Sequence, residues 1–197
     1  MMDDPYLHPL DAREWPPELE HVLKDLRGRP MKIHGLSANS PGLMNACWHL
    51  RNYLIKENTL GQRKNELAVL RVTAHKSCWY QWGDHVDRAL RLGIEIEEIL
   101  GLLEPVTERI WSEEERALIM AVDDLMTEDH IRPVTLAILN KNYSNQQVID
   151  LIAATGFVSM MSCMLQSWKV SLEEDIEMRI TPVIDQVGFR KRAEENF

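Results

Sequence analysis

Residues 66 to 85 read Glu66-Leu-Ala-Val-Leu-Arg-Val-Thr-Ala-His-Lys-Ser-Cys78-Trp-Tyr-Gln-Trp-Gly-Asp-His85 and hold three groups able to exchange protons: a carboxylate, a thiol and an imidazole. Glu66 has Val69, Leu70 and Thr73 as its helical neighbours. Glutamate is rarely buried unless paired, and burial would raise its pKa towards that of a usable acid or base. The plainer alternative is a solvated carboxylate in the first turn of a helix. Cys78 falls at an expected helix start, where unpaired N–H groups favour an anion and lower a thiol pKa. The plainer alternative there is a small apolar residue.

Cys78, Gln81, Trp82 and His85 share a stripe by the three- and four-residue neighbour rule. Two helical turns separate Cys78 from His85, roughly 10 Å along the axis. That is too far for a direct hydrogen bond but within reach of a bridge through Gln81, a water or a substrate. Taken alone, His85 reads as a core histidine bonded to a backbone carbonyl. Trp79, Tyr80 and Trp82 read either as core or as walls of a small apolar pocket. His34, His49 and His75 have no matched partner in the sequence, and Met160, Met161 and Met164 read as core or interface filling.

Helical periodicity runs through nearly every segment, with no sustained two-residue alternation. Residues 1–17, with four prolines, predict an extended arm, and a first helix runs from Pro17 to Gly28. Ser40-Pro41 opens a helix with Leu43, Ala46, Cys47, Leu50 and Leu54 on one side. After Gly61, helix 62–75 has little polar face and is expected to be buried on most sides. Ser77 is the expected cap of a helix from Cys78 to Leu92, ended by Gly93. A short helix spans 95–103. Ser112 with Glu115, and Ser144 with Gln147, form capping boxes for helices over 113–127 and from 145 to about Lys169, and Pro133 opens another between them. Residues 170–197, charged and aperiodic, predict a tail.

A chain of 197 residues suits one domain with a sizeable core. The net charge of -9 argues against nucleic acid, which requires clustered Lys and Arg. The apolar stretch from Val148 to Met164 is interrupted by Asp150, Thr155, Ser159 and Ser162, so no membrane span is expected. The acidic start, without a basic region followed by an apolar run, and three widely spaced cysteines suit a reducing cytoplasm. No metal-ligand spacing, phosphate loop, nucleophile elbow or CxxC pair is present.

Three patterns resemble the carboxymuconolactone decarboxylase family, which includes the alkylhydroperoxidase D-like proteins. They are Asn65-Glu66-Leu67-Ala68-Val69-Leu70-Arg71-Val72; Cys78-x-Tyr80-x-Trp82-Gly83-x-His85 continuing to Ala89-Leu90-x-x-Gly93; and the Asn39-Ser40-Pro41 helix start. The resemblance spans roughly residues 34–168. It implies an all-α, alkylhydroperoxidase D-like helical bundle, assembly into homotrimers or hexamers, and an active site at a subunit interface. In the peroxidase branch a CxxC pair reacts with peroxide while a glutamate and a histidine relay protons. Glu66, Cys78 and His85 match that pattern by spacing, but Gln81 stands where the second cysteine would be. In the decarboxylase branch no thiol pair is needed.

The expectation is therefore a cytoplasmic homo-oligomeric enzyme with an N-terminal arm and first helix (1–33), a family-like helical domain (34–169) and a C-terminal tail (170–197). Its chemistry is decarboxylation or a related proton transfer on a small organic acid or lactone. His85 carries the proton, Glu66 relays to it, and Cys78 joins them in the site. Gln81, Trp82, Tyr80 and Trp79 line the substrate pocket, and no metal or cofactor is implied. The alternatives are a one-cysteine peroxidase centred on Cys78 and a non-catalytic oligomer that binds a ligand or partner.

Overall fold

The computed structural model describes residues 6–106, 111–184 and 188. Two short 3-10 turns, at 12–14 and 17–19, precede ten α-helices among these residues. They are α1 (Glu20–Asp25), α2 (Lys32–Ser37), α3 (Pro41–Lys56), α4 (Gln62–His75), α5 (Trp79–Arg91), α6 (Ile96–Gly101), α7 (Glu113–Glu128), α8 (Pro133–Asn142), α9 (Asn145–Ser167) and α10 (Glu174–Ile184). No strand occurs among the described residues, as the periodicity predicts.

Helix α4 is the centre. Every residue from Asn65 to Thr73 is buried, and the helix packs against α5, α7 and α9. Its lack of a polar face thus has a physical counterpart: three helices surround it. Arg71, inside this run, is satisfied by a two-pronged pair with Asp123 of α7 (2.5 and 2.9 Å) and by the carbonyls of Leu102 and Glu104. His75 joins the same carboxylate at 2.7 Å, which supplies the partner its sequence neighbours lacked.

Both predicted capping boxes form. Ser112 accepts from the Glu115 N–H and Ser144 from the Gln147 N–H, while each acidic or amide partner reaches back. Ser77 does not cap α5. It adopts a left-handed backbone (φ 51°), and the Cys78 N–H donates back to the Thr73 carbonyl. This is a helix stop, with serine where glycine is usual, so the cap position of α5 passes to Cys78. On α3 the buried face is Met44, Trp48 and Leu54, whereas Leu43 and Leu50 are exposed. The larger side chains win the interior because α3 is covered from two directions, by the N-terminal elements and by α9.

Residues 174–184, expected in an aperiodic tail, form α10, which packs on α5. Gly83 permits this approach: a Cβ there would lie 2.5 Å from Leu172 Cδ2 and 3.0 Å from Ile180 Cδ1. Charge had masked the apolar set Leu172, Ile176, Ile180 and Val183, all buried. Residues 185–187 and 189–197 of that tail, and 1–5 of the arm, lie outside the described residues. Helix α9 is long and apolar enough to cross a membrane by length and composition, yet it packs against α4, α7 and α3 as a core helix. Its outer stripe, Ile149, Ile152 and Met160, is exposed.

The arm is fastened at Gly35, whose carbonyl accepts from the Leu10 N–H at 3.0 Å. A Cβ at Gly35 would sit 2.6 Å from the Leu10 carbonyl oxygen, a backbone atom that cannot swing aside. Gly35→Ala is therefore expected to lower stability by about 1–3 kcal/mol through forced displacement of the arm. Thermal unfolding, with limited proteolysis of residues 6–20, checks this; an unchanged Tm and cleavage pattern would contradict it.

Candidate active site

The turn after α4 reverses the chain so that α5 runs back along it. Glu66, one turn into α4, and His85, midway along α5, then face each other. His85 Nδ1 is 2.6 Å from Glu66 Oε2, and both side chains are about nine-tenths buried. An ionised carboxylate only accepts, so Nδ1 carries the hydrogen and Nε2 is left without a partner. Burial pushes the Glu66 carboxyl up, but the charge and hydrogen bond of His85, then Arg88 and Arg91, outweigh it and hold the pKa below its usual value. The sequence expectation of a raised glutamate is thus corrected in sign. A carboxylate kept ionised suits holding and stabilising an imidazolium, not donating a proton itself.

His85 lines a partly open cavity of about 110 Å³ between α2, α3, α4, α5 and α9. This is the order of the ~150 Å³ engineered cavity that takes up benzene. Its walls are mostly apolar, with Ile33, Met44, Trp48, Val69, Val158 and Met161 among them. The polar groups on it are few: His34, Ser37, Arg51, Asn65, Gln81, Asp84 and Arg88, beside His85 and Tyr80. A largely apolar hollow with a few convergent polar groups is the usual form of a small-molecule site.

Of the residues singled out from the sequence, His85, Gln81 and Tyr80 line the cavity, and Glu66 is tied to it through His85. Gln81 occupies the second-cysteine position, and its amide oxygen accepts from the Ser162 hydroxyl of α9. Tyr80 donates to Glu173 (2.9 Å) and accepts from the Ile33 N–H (3.1 Å). Burial, then the Glu173 charge, push its pKa well up, so it stays a phenol.

Trp79, Trp82 and Cys78 do not line the cavity. Trp82 is fully buried, and Trp79 stacks on it with ring centroids 5.7 Å apart. The helix explains the division: positions 79, 82 and 86 form one stripe, towards the core, and 81, 85 and 88 the next, towards the cavity. Cys78 is 1% exposed, and burial raises its thiol pKa against the lowering effect of the Gln81 and Tyr80 N–H groups and the Ser162 hydroxyl. The activated thiol expected at a helix start is therefore corrected to a buried, protonated one. The thiol that does line the cavity is Cys47, while Cys163 is exposed on α9.

Four contributors were not singled out from the sequence. Arg51 lies above the Trp48 ring at 4.6 Å. Arg88 pairs with Asp84 at 2.6 Å, and the only sequence signal was their four-residue spacing. Asn65 is 9% exposed and its amide oxygen has no partner. His34 accepts the Met31 N–H on Nδ1 at 3.0 Å and meets Trp48 edge-on. Burial, then Arg51 and Arg88, lower its pKa to about 3, so it is neutral at pH 7 with its hydrogen on Nε2. No cluster of side chains suited to holding a metal ion occurs among the described residues.

The model of the carboxymuconolactone decarboxylase family matches residues 41–124, from the start of α3 into α7, so this part of the chain is similar to that family. No curated protein matches the chain. Among solved structures, a Cys-to-Ala variant of the debrominase Bmp8 in complex with 2,3,4-tribromopyrrole is similar, with a TM-score of 0.77 at 16% identity over 92% of this chain and 98% of that one. An alkylhydroperoxidase AhpD core described as an uncharacterized peroxidase-related protein from Ralstonia eutropha JMP134 gives 0.74 at 14% identity, over 87% and 93%. An uncharacterized peroxidase-related protein from Silicibacter sp. TM1040 gives 0.70 at 15%, over 89% and 97%. These likenesses establish the all-α, alkylhydroperoxidase D-like fold.

His34 gives a pH signature. Its pKa is about 3 when folded against an ordinary 6.5, so below pH 6.5 the unfolded chain binds the extra proton and stability falls as pH falls. Between pH 6.5 and 4.5, above the range of most carboxylates, His34→Gln is expected to flatten the decline in unfolding free energy. Urea titrations across that window check it, and equal slopes for the two proteins would contradict it.

Proposed function

We propose that the protein is a carboxymuconolactone decarboxylase-like enzyme performing general acid–base chemistry, decarboxylation or a related proton transfer, on a small organic acid or lactone. The observation that carries this reading is the Glu66–His85 pair at the wall of an apolar cavity, with Nε2 left free. In a decarboxylation, departure of CO2 leaves the bonding electrons on an enolate-like carbon. The Nε2–H of protonated His85 delivers a proton to that carbon, and the neutral ring recovers one from water. Ionised Glu66 keeps the ring in the Nδ1–H form and stabilises its charged state between turnovers. Exclusion of water by Trp48, Met44 and Val158 strengthens every charge interaction inside.

A thiol peroxidase centred on Cys78 has less support. Its sulfur is buried, its pKa is raised, and Gln81 takes the place of a resolving partner. The bound tribromopyrrole of the structurally similar debrominase supports a planar, largely apolar ligand in this cavity. We assign the chain to the cytoplasm. We further take it to form a homo-oligomer, a trimer or hexamer, in which the exposed α9 stripe Ile149, Ile152 and Met160 is covered.

The test is a panel of small lactone acids and keto acids, followed by NMR for CO2 loss and for deuterium uptake from solvent. His85→Ala is expected to abolish turnover. Glu66→Gln should lower kcat by about 10²–10⁴-fold, the usual worth of a positioned proton-transfer group. Cys78→Ala should leave turnover largely intact. Turnover that survives His85→Ala, or that vanishes with Cys78→Ala in a folded protein, would overturn the assignment.

A further inference from the structure

The cavity holds one charge that its own walls do not balance. Glu66 is matched by His85, and Asp84 by Arg88 at 2.6 Å. Arg51 makes no ion pair among the described residues. Its one polar contact is the neutral amide oxygen of Asn52, at 3.0 Å, and its guanidinium otherwise rests on the Trp48 face. The chain's other cavity-facing cation therefore has its carboxylate, and this one does not. His34, next to it, is neutral, so it adds no second charge and takes none away.

Arg51 is half-buried against apolar walls, and a charge partly withdrawn from water gains from a partner that compensates it. Burial, then repulsion from Arg88, do push the Arg51 pKa below its ordinary value, and the attraction of Asp84 and Asp25 does not make this good. The planar fork of arginine fits a carboxylate two-pronged, a match that a lysine would not give. A second group lies in the same wall. Asn65, nine-tenths buried, has an amide oxygen without any hydrogen-bond partner. Buried polar atoms are satisfied in more than nine cases in ten; this oxygen accepts, so a hydroxyl or N–H on the ligand body, not its carboxylate, would complete it.

We infer that Arg51 is an anion anchor, and that the cavity takes a compact apolar molecule bearing a single carboxylate, held by Arg51, with its body against Trp48, Met44 and Val158 on the way to His85. A dianion would leave one charge unmatched in the same apolar space. A neutral ligand would leave Arg51 without a counter-charge. The inference deepens the acid–base reading by fixing which end of the substrate is held, but it is a statement about binding and does not need turnover.

The test compares acids with their neutral amides: benzoate against benzamide, and hexanoate against hexanamide, titrated by tryptophan fluorescence and calorimetry. The expected result is that at least one acid binds ten-fold or more tightly than its amide, that Arg51→Met removes the preference, and that His85→Asn retains it. The proposal is overturned if no acid binds, if amides bind as well as acids, or if Arg51→Met keeps the preference. Should Arg51→Met fail to fold, alkylation of the unaltered protein decides. Cys47 in the cavity should favour iodoacetate over iodoacetamide relative to exposed Cys163 by several-fold, and equal ratios at the two thiols would overturn it. Acid binding without any turnover would sink the acid–base reading alone. Turnover unaffected by Arg51→Met would sink this inference alone.

Discussion

A carboxylate in the buried stretch of a helix must be answered, and the answer here is one hydrogen bond, from His85 Nδ1 to Glu66. Helix α4 has no solvent-facing side along Asn65–Thr73, so Glu66 cannot turn outwards without taking the helix with it. Removing one member of a buried pair typically costs about 3–5 kcal/mol, a large share of the roughly 5–15 kcal/mol by which native proteins are stable. The pair therefore fixes the rotation of α5 about its axis. That rotation sends Trp82 and Val86 to the core and Gln81, Asp84 and Arg88 to the cavity. Stability and site geometry share a single contact.

The helical plan was legible because helices announce themselves by apolar period and by caps. Ser112–Glu115 and Ser144–Gln147 mark helix starts with residues whose side chains can only satisfy those particular N–H groups. The Glu66–His85 contact was legible in part, since a carboxylate at an apolar position implies a partner. The failures share a cause: two- and three-residue shifts of angle about an axis are invisible without the neighbouring helices. Ser77 was read as a cap because serine favours that place, yet left-handed turns are also open to it at modest cost. Trp82 was put beside His85 by neighbour rules that tolerate three or four residues equally, a spread of about 100° on the helix.

Arg51, His34 and Asn65 were illegible for a different reason. They reach the cavity from α3, α2 and the start of α4, and only the packing of the arm on α2 and α3, with the hydrogen bond from the Ile33 N–H to Tyr80 of α5, brings these surfaces together. That packing is itself tied to the C-terminal segment. Glu173 accepts from the Lys32 N–H at 2.7 Å and from the Tyr80 phenol at 2.9 Å, so one carboxylate joins α2, α5 and the approach to α10. Gly83 makes room for this closure. A charged composition had suggested a free tail, but four apolar residues at helical spacing were enough to seat it.

Everything in this account depends on which nitrogen of His85 faces Glu66. Nitrogen-15 NMR of the His85 ring across a pH titration reads it directly, with Glu66→Gln as control. The expected result is an Nδ1 that stays protonated and strongly hydrogen-bonded throughout, Nε2 as the titrating nitrogen, and loss of the Nδ1 signature in Glu66→Gln. A ring protonated on Nε2 in its neutral form, or signals unchanged by Glu66→Gln, would contradict it.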